Sequence, residues 1–330
     1  LVRVAWDGTT SAIGADDGWV MGRSGGGTDV VVTRRLDSVR TTYEVRGSAG
    51  MVEVETGSGQ GVLGLVGPIR SGGASTSSGD VEITIYPANQ LGNDAAMING
   101  VRGGTIDIVS SGASNFNGIV ANTAAMELPF VFRNAQHAYT VLDGPIGSGV
   151  LNELAPHGLK GLAYWENGWR AFTNNKRPIK TPDDAKGLKI RSTGNPYHIQ
   201  AFKLLGMNPS PMAIAELYTA LETGTFDAQE HPINVTWSSK FYEVQKHLTI
   251  SNHVYSPLIL AMNKAKFETL PADFQKIVVD SARDAAKYQR ELNAGNAGKV
   301  VAELKKSGMQ VVENVDMAPF QKIVSESIAK

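Results

Sequence analysis

Residues 158–192 read GLKGLAYWENGWRAFTNNKRPIKTPDDAKGLKIRS, and the order of elements in this stretch decides the fold. The runs LKGLAYW and LKIRS are typical of strands. Between them, KTPDDAKG follows the rules for helix ends, with Thr181 as N-cap and Pro182 in the first turn. Asp183 and Asp184 face the positive end of the helix dipole, and Gly187 closes the helix. A strand–helix–strand unit indicates an α/β protein.

The same alternation continues on both sides of this stretch, from residue 81 onward. VEITIYP at 81–87 alternates apolar and polar residues and predicts a half-buried strand. NDAAMINGVRGG at 93–104 predicts a helix that begins at an Asn or Asp cap and ends at glycine. Residues 270–308 are amphipathic over a length that predicts one or two long helices. We therefore expect an α/β fold with mainly parallel sheets.

The composition excludes several classes of protein. The 330 residues carry a net charge of −1 and no run of Lys or Arg, so nothing in the charge favours nucleic acid or an anionic membrane. No stretch approaches the roughly 18 apolar residues of a membrane span. The absence of cysteine removes thiol catalysis and disulfides and is compatible with an oxidising compartment. The chain starts without a charged-then-apolar leader, so we expect a signal peptide to be cleaved or absent.

Residues 1–80 differ in composition from the rest of the chain. They carry seven arginines and no lysine, against seven arginines and seventeen lysines in residues 81–330, and they hold 17 of the 36 glycines. Their β-branched runs are short and show no helical stripe. Three interpretations stay open for this segment: a small β-rich extension, a disordered or tag-like leader, or a wrong reading frame of a GC-rich gene.

This first segment contains a Gly-x-Gly-x-x-Gly pattern at Gly59, Gly61 and Gly64, which in the right context binds a dinucleotide. That context requires a long helix directly after the glycines, but Pro68 and further glycines interrupt it within a few residues. Asp80 has about the spacing of a ribose-binding acid but opens a strand instead of ending one. We expect no dinucleotide site and no cofactor.

Other motifs of catalysis or metal binding are also without context. Ser24 lies in a Gly-x-Ser-x-Gly pattern that lacks the buried strand and following helix of a nucleophile elbow. No histidine pair has the spacing of metal ligands, and no carboxylate stands in an apolar context that would raise its pKa. We expect no catalytic residue and no metal site. The chain has six histidines. We expect surface or hydrogen-bonding roles for five of them, His137, His157, His198, His247 and His253, and treat His231 separately below.

Two arginines stand at predicted strand edges rather than on solvated helix faces. Arg170 follows the LAYW strand, between aromatic residues, and Arg191 ends the strand LKIR, before the loop STGNP. Ligands of open α/β folds bind at the carboxyl ends of strands, and a guanidinium grips a carboxylate through two parallel hydrogen bonds. The alternative for each arginine is an ion pair with a neighbouring helix.

From about residue 81 onward, the sequence resembles the extracytoplasmic solute-binding subunit of TRAP-type (tripartite ATP-independent periplasmic) transporters, over some 240 residues. The similar stretches, in order, are IYPANQLGND, LPFVFRNAQHAYTVLDGP, GLKGLAYWENGWR, NKRPIKTPDDAKGLKIR, LGMNPSPMAIAELYTALETGTFDAQEHP and KFYEVQKHLTISNH. The resemblance implies a two-lobed periplasmic binding protein fold of α/β class, with a cleft between the lobes, strands that cross between them and a long helix that spans both.

The resemblance also implies that each lobe is built from separate parts of the chain. We expect lobe I to consist of residues 81–168 and 257–296, and lobe II of residues 169–256 and 297–330. The status of residues 1–80 is uncertain, since the family's first strand and helix should precede VEITIYP and neither is recognisable there; part of the segment could supply them.

Carried over by position, Arg191 is similar to the family's principal carboxylate-binding arginine and Arg170 to its second one. The family usually has Asn in a QENP turn, and this chain has QEHP, with His231 in that place. Ile214 and the loop residue Asn195 are also expected to contact the ligand. The candidate aromatic walls of the cleft, each of which could equally be packed in the core, are Trp165, Trp169, Tyr197 and Tyr218, and Trp169 is included among the expected ligand contacts.

We therefore expect a periplasmic receptor, not an enzyme, that binds a small organic acid and delivers it to the membrane permease of a TRAP transporter. The lobes are expected to close by hinge motion, and the protein to be monomeric and without affinity for nucleic acid. The alternatives are an enzyme on a two-lobed α/β scaffold and a sensory binding protein with the same ligand chemistry.

Overall fold

The computed structural model describes residues 19–23, 30–36, 39–46, 51–52, 61–66, 82–87 and 89–328. Its strands are β1 (Trp19–Arg23), β2 (Val30–Leu36), β3 (Val39–Arg46), β4 (Met51–Val52), β5 (Gly61–Val66), β6 (Glu82–Pro87), β7 (Ile108–Gly112), β8 (Leu159–Asn174), β9 (Lys189–Ser192), β10 (Asn208–Pro211), β11 (Ala228–Pro232), β12 (His247–Thr249), β13 (Tyr255–Asn263) and β14 (Gln310–Val312). Its helices are α1 (Asp94–Gly103), α2 (Asn122–Ala125), α3 (Ala135–Leu142), α4 (Pro145–Asn152), α5 (Pro182–Ala185), α6 (Pro196–Leu204), α7 (Leu217–Glu222), α8 (Ile233–Ser238), α9 (Phe241–Val244), α10 (Lys264–Thr269), α11 (Ala272–Lys306) and α12 (Ala318–Ile328).

The 16-residue strand β8 runs through both halves of the molecule. Its first part pairs with β13 as far as Trp169, and its last part, from Arg170 to Asn174, pairs with β11 and β12. The expectation that Arg170 follows the strand was wrong, because β8 continues past it. Gly168, with φ of 123°, precedes the change of partners by two residues.

The two sheets that share β8 define two lobes. Lobe I contains β5, β6, β7, β13 and the first part of β8, and lobe II contains β9, β10, β11, β12, β14 and the last part of β8. The expectation of mainly parallel sheets was wrong. Among the described strands of the two lobes, β9–β10, β9–β11 and β12–β14 are the parallel pairs, and the other pairings are antiparallel. β8 runs from lobe I into lobe II and pairs antiparallel with β13 in the first and with β11 and β12 in the second.

Each lobe has its own hydrophobic core, and the long helix α11 contacts both. The core of lobe I packs α1, α3 and β13 together, and that of lobe II packs β9, α6 and α12. Ala282 of α11 packs with residues of lobe I, whereas Leu304, 22 residues further on, packs against Leu248 of lobe II. The 35 residues of α11 form one helix, one of the two predicted possibilities. No helix in the described ranges combines the length and apolarity of a membrane span.

The local signals for helix ends are confirmed. Thr181 and Asp184 form a reciprocal capping box at the start of α5, and Gly187 takes a φ of 77° behind it. Asn93 and Asn195 cap α1 and α6 through their side-chain oxygens, which accept from the backbone N–H groups of the first turn. These caps fix the directions of the chain at two places that border the cavity described below.

The first segment of the chain contributes strands. β1 to β4 form a separate antiparallel sheet, and β5 pairs antiparallel with both β6 and β7 of lobe I. Gly61 and Gly64 lie within β5, so the helix that a dinucleotide motif needs does not follow the glycines. Gly59, Asp80 and Ser24 lie outside the described residues, and the three interpretations of residues 1–80 stay open.

Candidate functional site

A cavity of about 310 Å³ lies between the two lobes. Lobe I lines it with the start of α1, the turn after β7, Glu127 and residues of β8 and β13, among them Asn167 and Ser256. Lobe II lines it with the end of β9 and the loop behind it, residues 211–214 and His231 of β11. Of the residues predicted from the sequence, the structure brings Arg170, Arg191, His231 and Ile214 together around this cavity.

Arg191 lies at the end of β9 and is 5% exposed. Its Nε and Nη2 donate to the carbonyl oxygen of Met212, at 2.8 and 2.5 Å, and its Nη1 lies 3.4 Å from Nε2 of His231. In the described part of the chain it forms no ion pair with a carboxylate. Burial, and then the neighbouring Arg170 cation, lower the pKa of Arg191 to about 10. Among the described residues, the cavity wall therefore carries a guanidinium that is in no ion pair, although the carboxylates of Glu230 and Asp94 are close enough to favour its charged form.

Arg170 has a carboxylate partner. Its guanidinium forms a two-point ion pair with the fully buried Glu230, with an Nη2–Oε1 distance of 2.7 Å and a second bond from Nε to Oε2. Nη2 also donates to the Glu230 carbonyl at 2.6 Å, and Nη1 to Ser256 Oγ at 3.3 Å. Burial alone would raise the pKa of Glu230, but the Arg170 cation holds it well below its usual value. The two arginines of the cavity wall thus differ, because the charge of Arg170 is neutralised by Glu230 within the protein.

His231 is buried next to Arg191 and is held by a chain of hydrogen bonds. Its Nδ1 lies 2.5 Å from Oε1 of Gln229, whose Nε2 donates to Thr173 Oγ1 at 2.7 Å. Burial, and then the cations of Arg170 and Arg191, lower the pKa of His231 well below its usual range. His231 is therefore a neutral group at neutral pH and adds no charge to the site.

Two residues predicted as ligand contacts, Trp169 and Asn195, are not among the residues that line the cavity. Trp169 is half-buried and packs edge-on against Tyr255, with ring centroids 5.4 Å apart. Asn195 is fully buried, and its Nδ2 donates to Ser114 Oγ and the Ala124 carbonyl of lobe I, at 3.0 and 3.1 Å. The polar atoms of Asn195 are thus engaged in contacts within the protein.

The other candidate aromatic walls also lie elsewhere. Trp165 donates from its indole nitrogen to the Ala282 carbonyl of α11 at 3.0 Å. Tyr218 donates to Glu243 at 2.7 Å, and Tyr197 is 38% exposed at the start of α6. The cavity wall is accordingly polar, with Met212 and Ile214 among its few large apolar side chains.

The acidic residues of the site are not predicted from the sequence. Asp94 and Glu127 line the cavity, and Glu230 lies behind it. The expectation that no carboxylate has a raised pKa was wrong, since burial raises the pKa of Asp94 in the cavity and of Glu166 in β8. The available signal for Asp94 was its place at the first position of α1, where an acid is expected on helix-dipole grounds alone. In the described ranges, no three His, Asp or Glu side chains converge as a metal site would require.

A cavity between two lobes, with a buried arginine that is in no ion pair among the described residues, is the arrangement of a receptor for a small anion. The family model described as bacterial extracellular solute-binding protein, family 7, matches residues 74–330. The chain belongs to this family. Its members are solute-binding transport components rather than enzymes, and the resemblance to TRAP-type solute-binding proteins, with a two-lobed α/β fold, is confirmed.

Relatives of known ligand support this assignment. The 2,3-diketo-L-gulonate-binding periplasmic protein of Escherichia coli is 48% identical over 252 residues, which are 76% of this chain and 77% of that protein. A TRAP periplasmic solute-binding protein from a Polaromonas species, solved with D-erythronate, is 42% identical with a TM-score of 0.72, covering 74% of this chain and 80% of that one. The sugar acid-binding protein of Advenella mimigardefordensis, solved with galactonate, is 36% identical with a TM-score of 0.70, covering 73% and 78%.

Proposed function

We propose that this family 7 protein is a periplasmic receptor for a small hydroxylated monocarboxylate of the sugar-acid class, and that it delivers this ligand to the membrane permease of a TRAP transporter. The observation that carries the proposal is Arg191, a buried cation on the cavity wall without a carboxylate partner in the described residues. A ligand carboxylate supplies the missing charge.

Arg191 carries a charge that is costly to bury. A guanidinium removed from water is stabilised only when it is hydrogen-bonded and paired, and among the described residues the hydrogen-bond partners of Arg191 are the Met212 carbonyl and the imidazole of His231. Each hydrogen bond to a charged group contributes about 1.5–3 kcal/mol. Micromolar affinity corresponds to about 8 kcal/mol, so a carboxylate contact and a few hydroxyl contacts are enough once closure and desolvation costs are offset.

The charges around the cavity favour a single carboxylate on the ligand. Arg170 is already neutralised by Glu230, so Arg191 remains as the cation available to an anion. Asp94 and Glu127 line the same cavity, so a second ligand carboxylate would meet acidic side chains there instead of a cation. The N-terminus of α1, which also borders the cavity, adds a favourable potential for one anion.

Arg170 keeps a smaller role in binding under this proposal. A guanidinium has five N–H groups, and four hydrogen bonds, to Glu230 and to Ser256 Oγ, leave one N–H on Nη1. This donor lines the cavity and is available to a ligand oxygen. Arg170 thus supplies one hydrogen bond, whereas Arg191 supplies the charge.

The lobes are proposed to close over the ligand by a hinge motion. Lobe I is taken as residues 81–168 and 257–296, and lobe II as residues 169–256 and 297–330, as expected from the sequence. β8 and α11 connect the lobes, and Gly168 in β8 has a backbone conformation that favours glycine. The names of the relatives place the E. coli protein and the Polaromonas protein in the periplasm, and we propose the same location for this chain, as a monomer.

Isothermal titration calorimetry with D-erythronate, D-galactonate, D-galacturonate and succinate tests the proposal. We expect at least one of the three monocarboxylates to bind, succinate to bind at least about tenfold more weakly, and Arg191→Ala to abolish binding while the variant keeps its circular dichroism spectrum. Arg102→Gln, which changes an exposed arginine of α1, is the matched control and is expected to bind normally. Binding that survives Arg191→Ala, or a preference for succinate, contradicts the proposal.

A further inference from the structure

We infer that Nε2 of His231 accepts a hydrogen bond from a hydroxyl group on the ligand carbon next to the carboxylate, so that the receptor selects α-hydroxy acids. This inference rests on the proposed function, since it takes the ligand carboxylate to lie on Arg191. His231 lines the cavity, and its Nε2 lies 3.4 Å from Nη1 of that arginine. A group on the carbon next to a carboxylate held by Arg191 therefore meets the His231 imidazole.

A directional chain of hydrogen bonds fixes which nitrogen of His231 carries the proton. Gln245 Nε2 donates to the Val244 carbonyl at 3.0 Å, which leaves Gln245 Oε1 to accept from Thr173 Oγ1 at 2.9 Å. The single hydrogen of the Thr173 hydroxyl is already donated to Gln245, so Thr173 Oγ1 accepts the hydrogen bond from Gln229 Nε2. The other atom of the Gln229 amide, Oε1, is then an acceptor.

The end of this chain is the imidazole. Gln229 Oε1, 2.5 Å from Nδ1 of His231, can only accept, so Nδ1 carries the hydrogen. In a neutral imidazole the other nitrogen, Nε2, then has a free lone pair. The long 3.4 Å contact with Arg191 occupies it weakly. The structure thus presents a hydrogen-bond acceptor beside the carboxylate-binding arginine.

A second chain leaves another acceptor near the cavity. The Ser256 hydroxyl donates to Glu127 Oε1, so Ser256 Oγ accepts from Asn167 Nδ2 at 3.2 Å. This fixes the orientation of the Asn167 amide, whose Oδ1 is buried without a hydrogen-bond partner. A buried acceptor without a partner is costly. This oxygen is itself buried behind the cavity surface, so the acceptor considered for the ligand hydroxyl is Nε2 of His231.

The test compares acids that differ only at the carbon next to the carboxylate. We would titrate the wild type with D-erythronate against 3,4-dihydroxybutanoate, and with D-galactonate against 2-deoxy-D-galactonate. For each α-hydroxy acid that binds, we expect the deoxy partner to bind about tenfold more weakly or worse, because it leaves Nε2 with only the long contact to Arg191. In His231→Leu this ratio should fall to about threefold or less, whereas His231→Gln, whose Oε1 can accept in place of Nε2, should keep most of it.

A long-range nitrogen–proton NMR spectrum of histidine-labelled protein reports on His231 directly and needs no variant beyond His231→Leu for assignment. We expect the neutral tautomer with the proton on Nδ1, and a change in the Nε2 signal when an α-hydroxy acid binds but not when its deoxy partner does. Equal affinity for both members of a pair, a ratio kept in His231→Leu, or a proton on Nε2 overturns the inference. If Arg191→Ala loses binding but the wild type binds each α-hydroxy acid and its deoxy partner equally well, only this inference is refuted. If no acid binds to the wild type, the proposed function is refuted as well.

Discussion

Arg170 and Glu230 lie 60 positions apart in the sequence and form a two-point ion pair inside the protein, with Arg170 2% exposed and Glu230 fully buried. The pair joins β8 to β11, the two strands that meet behind the cavity. It also neutralises the second of the two arginines that the sequence marks as binding residues. Arg170 is consequently a part of the frame of the site, and Arg191 is left as the charge that a ligand meets.

Glu230→Gln should destabilise the protein strongly. The substitution removes the negative charge but leaves the Arg170 cation buried, and breaking one partner of a buried ion pair costs about 3–5 kcal/mol. We expect a loss of that size in the free energy of unfolding, measured by urea denaturation at neutral pH. Affinity for a monocarboxylate should not disappear, because Arg191 is unchanged.

The control for this loss is an ion pair of the same charges on the surface. Lys276 and Asp280 face each other on one exposed side of α11. Asp280→Asn should cost less than about 1 kcal/mol, since exposed pairs of this kind contribute little. If Glu230→Gln lowers the free energy of unfolding by no more than Asp280→Asn does, the buried Arg170–Glu230 pair does not stabilise the fold.

The sequence predicts those features of the site that depend on local pattern. Arg191 could be placed at a strand end from the residues LKIR and the loop after them, and the caps Thr181 and Asn93 follow from their neighbours within one helical turn. The expectation for His231 comes from the family resemblance, through its place in QEHP where the family usually has Asn. In each case the signal lies within a few residues of the position that it concerns.

Features that depend on long-range pairing were not predictable in this way. The partner of Arg170 comes from a strand 60 residues away, and no local pattern separates an arginine with a buried partner from one without. The antiparallel pairing of β8 with β13 depends on the path of the chain between lobes, whereas alternating strands and helices suggested parallel sheets. Asn195 is among the ligand contacts expected from the sequence, but its amide reaches across to lobe I.

Gly168→Ala should destabilise the crossing strand. Gly168 has a φ of 123°, and a Cβ added there would lie 3.2 Å from Cβ of Pro232. Residues other than glycine rarely adopt this conformation, so we expect a loss of about 1–3 kcal/mol in the free energy of unfolding. Urea denaturation measures it. Gly149→Ala is the control, because Gly149 lies in helix α4 with nothing near its missing Cβ. Gly149→Ala should be neutral or should stabilise the protein by up to about 1 kcal/mol. An equal loss of stability in both variants would contradict the conclusion that the backbone conformation at Gly168 requires glycine.

His198→Gln should reduce the dependence of stability on pH. His198 is fully buried, with Nε2 donating to the Glu127 carbonyl at 2.7 Å, and burial lowers its pKa. The unfolded chain takes up a proton at this residue as the pH falls through about 6.5, and the folded protein does so only at lower pH. Stability is therefore lost below about pH 6.5, by up to about 1.4 kcal/mol per pH unit for one proton. As the pH falls, His198→Gln should lose less of its free energy of unfolding than the wild type, by up to that amount per pH unit. Urea denaturation at pH 7.5, 6.5 and 5.5 measures the difference.

The control for the pH experiment is His157→Gln, at an exposed histidine in the turn before β8. A change of pH slope that both variants share would come from the loss of an imidazole anywhere in the chain, whereas a change confined to His198→Gln comes from the buried site. An unchanged pH slope in His198→Gln would mean that His198 is protonated as readily in the folded protein as in the unfolded one.

Asn195→Ala should weaken the binding of every ligand by the same factor. Nδ2 of Asn195 joins the loop after β9 to Ser114 and Ala124 of lobe I, so the substitution removes two hydrogen bonds between the lobes. Each contributes about 1 kcal/mol, which favours the open arrangement and should lower affinities about five- to thirtyfold. Calorimetry with D-erythronate and D-galactonate measures the factor, and small-angle X-ray scattering should show a more open protein at subsaturating ligand.

Asn134→Ala separates this effect from the loss of a helix cap. Both asparagines cap a helix through their side-chain oxygens, Asn134 at α3 and Asn195 at α6, but only Asn195 also bonds across the cavity. Asn134→Ala should cost about 1 kcal/mol of stability and leave affinities unchanged. If Asn195 instead contacts the ligand, as the sequence suggests, Asn195→Ala will weaken D-erythronate and D-galactonate by different factors, because the two acids differ in the hydroxyl groups that they present. A common factor for both acids, with normal affinity in Asn134→Ala, identifies Asn195 as a residue that holds the lobes together.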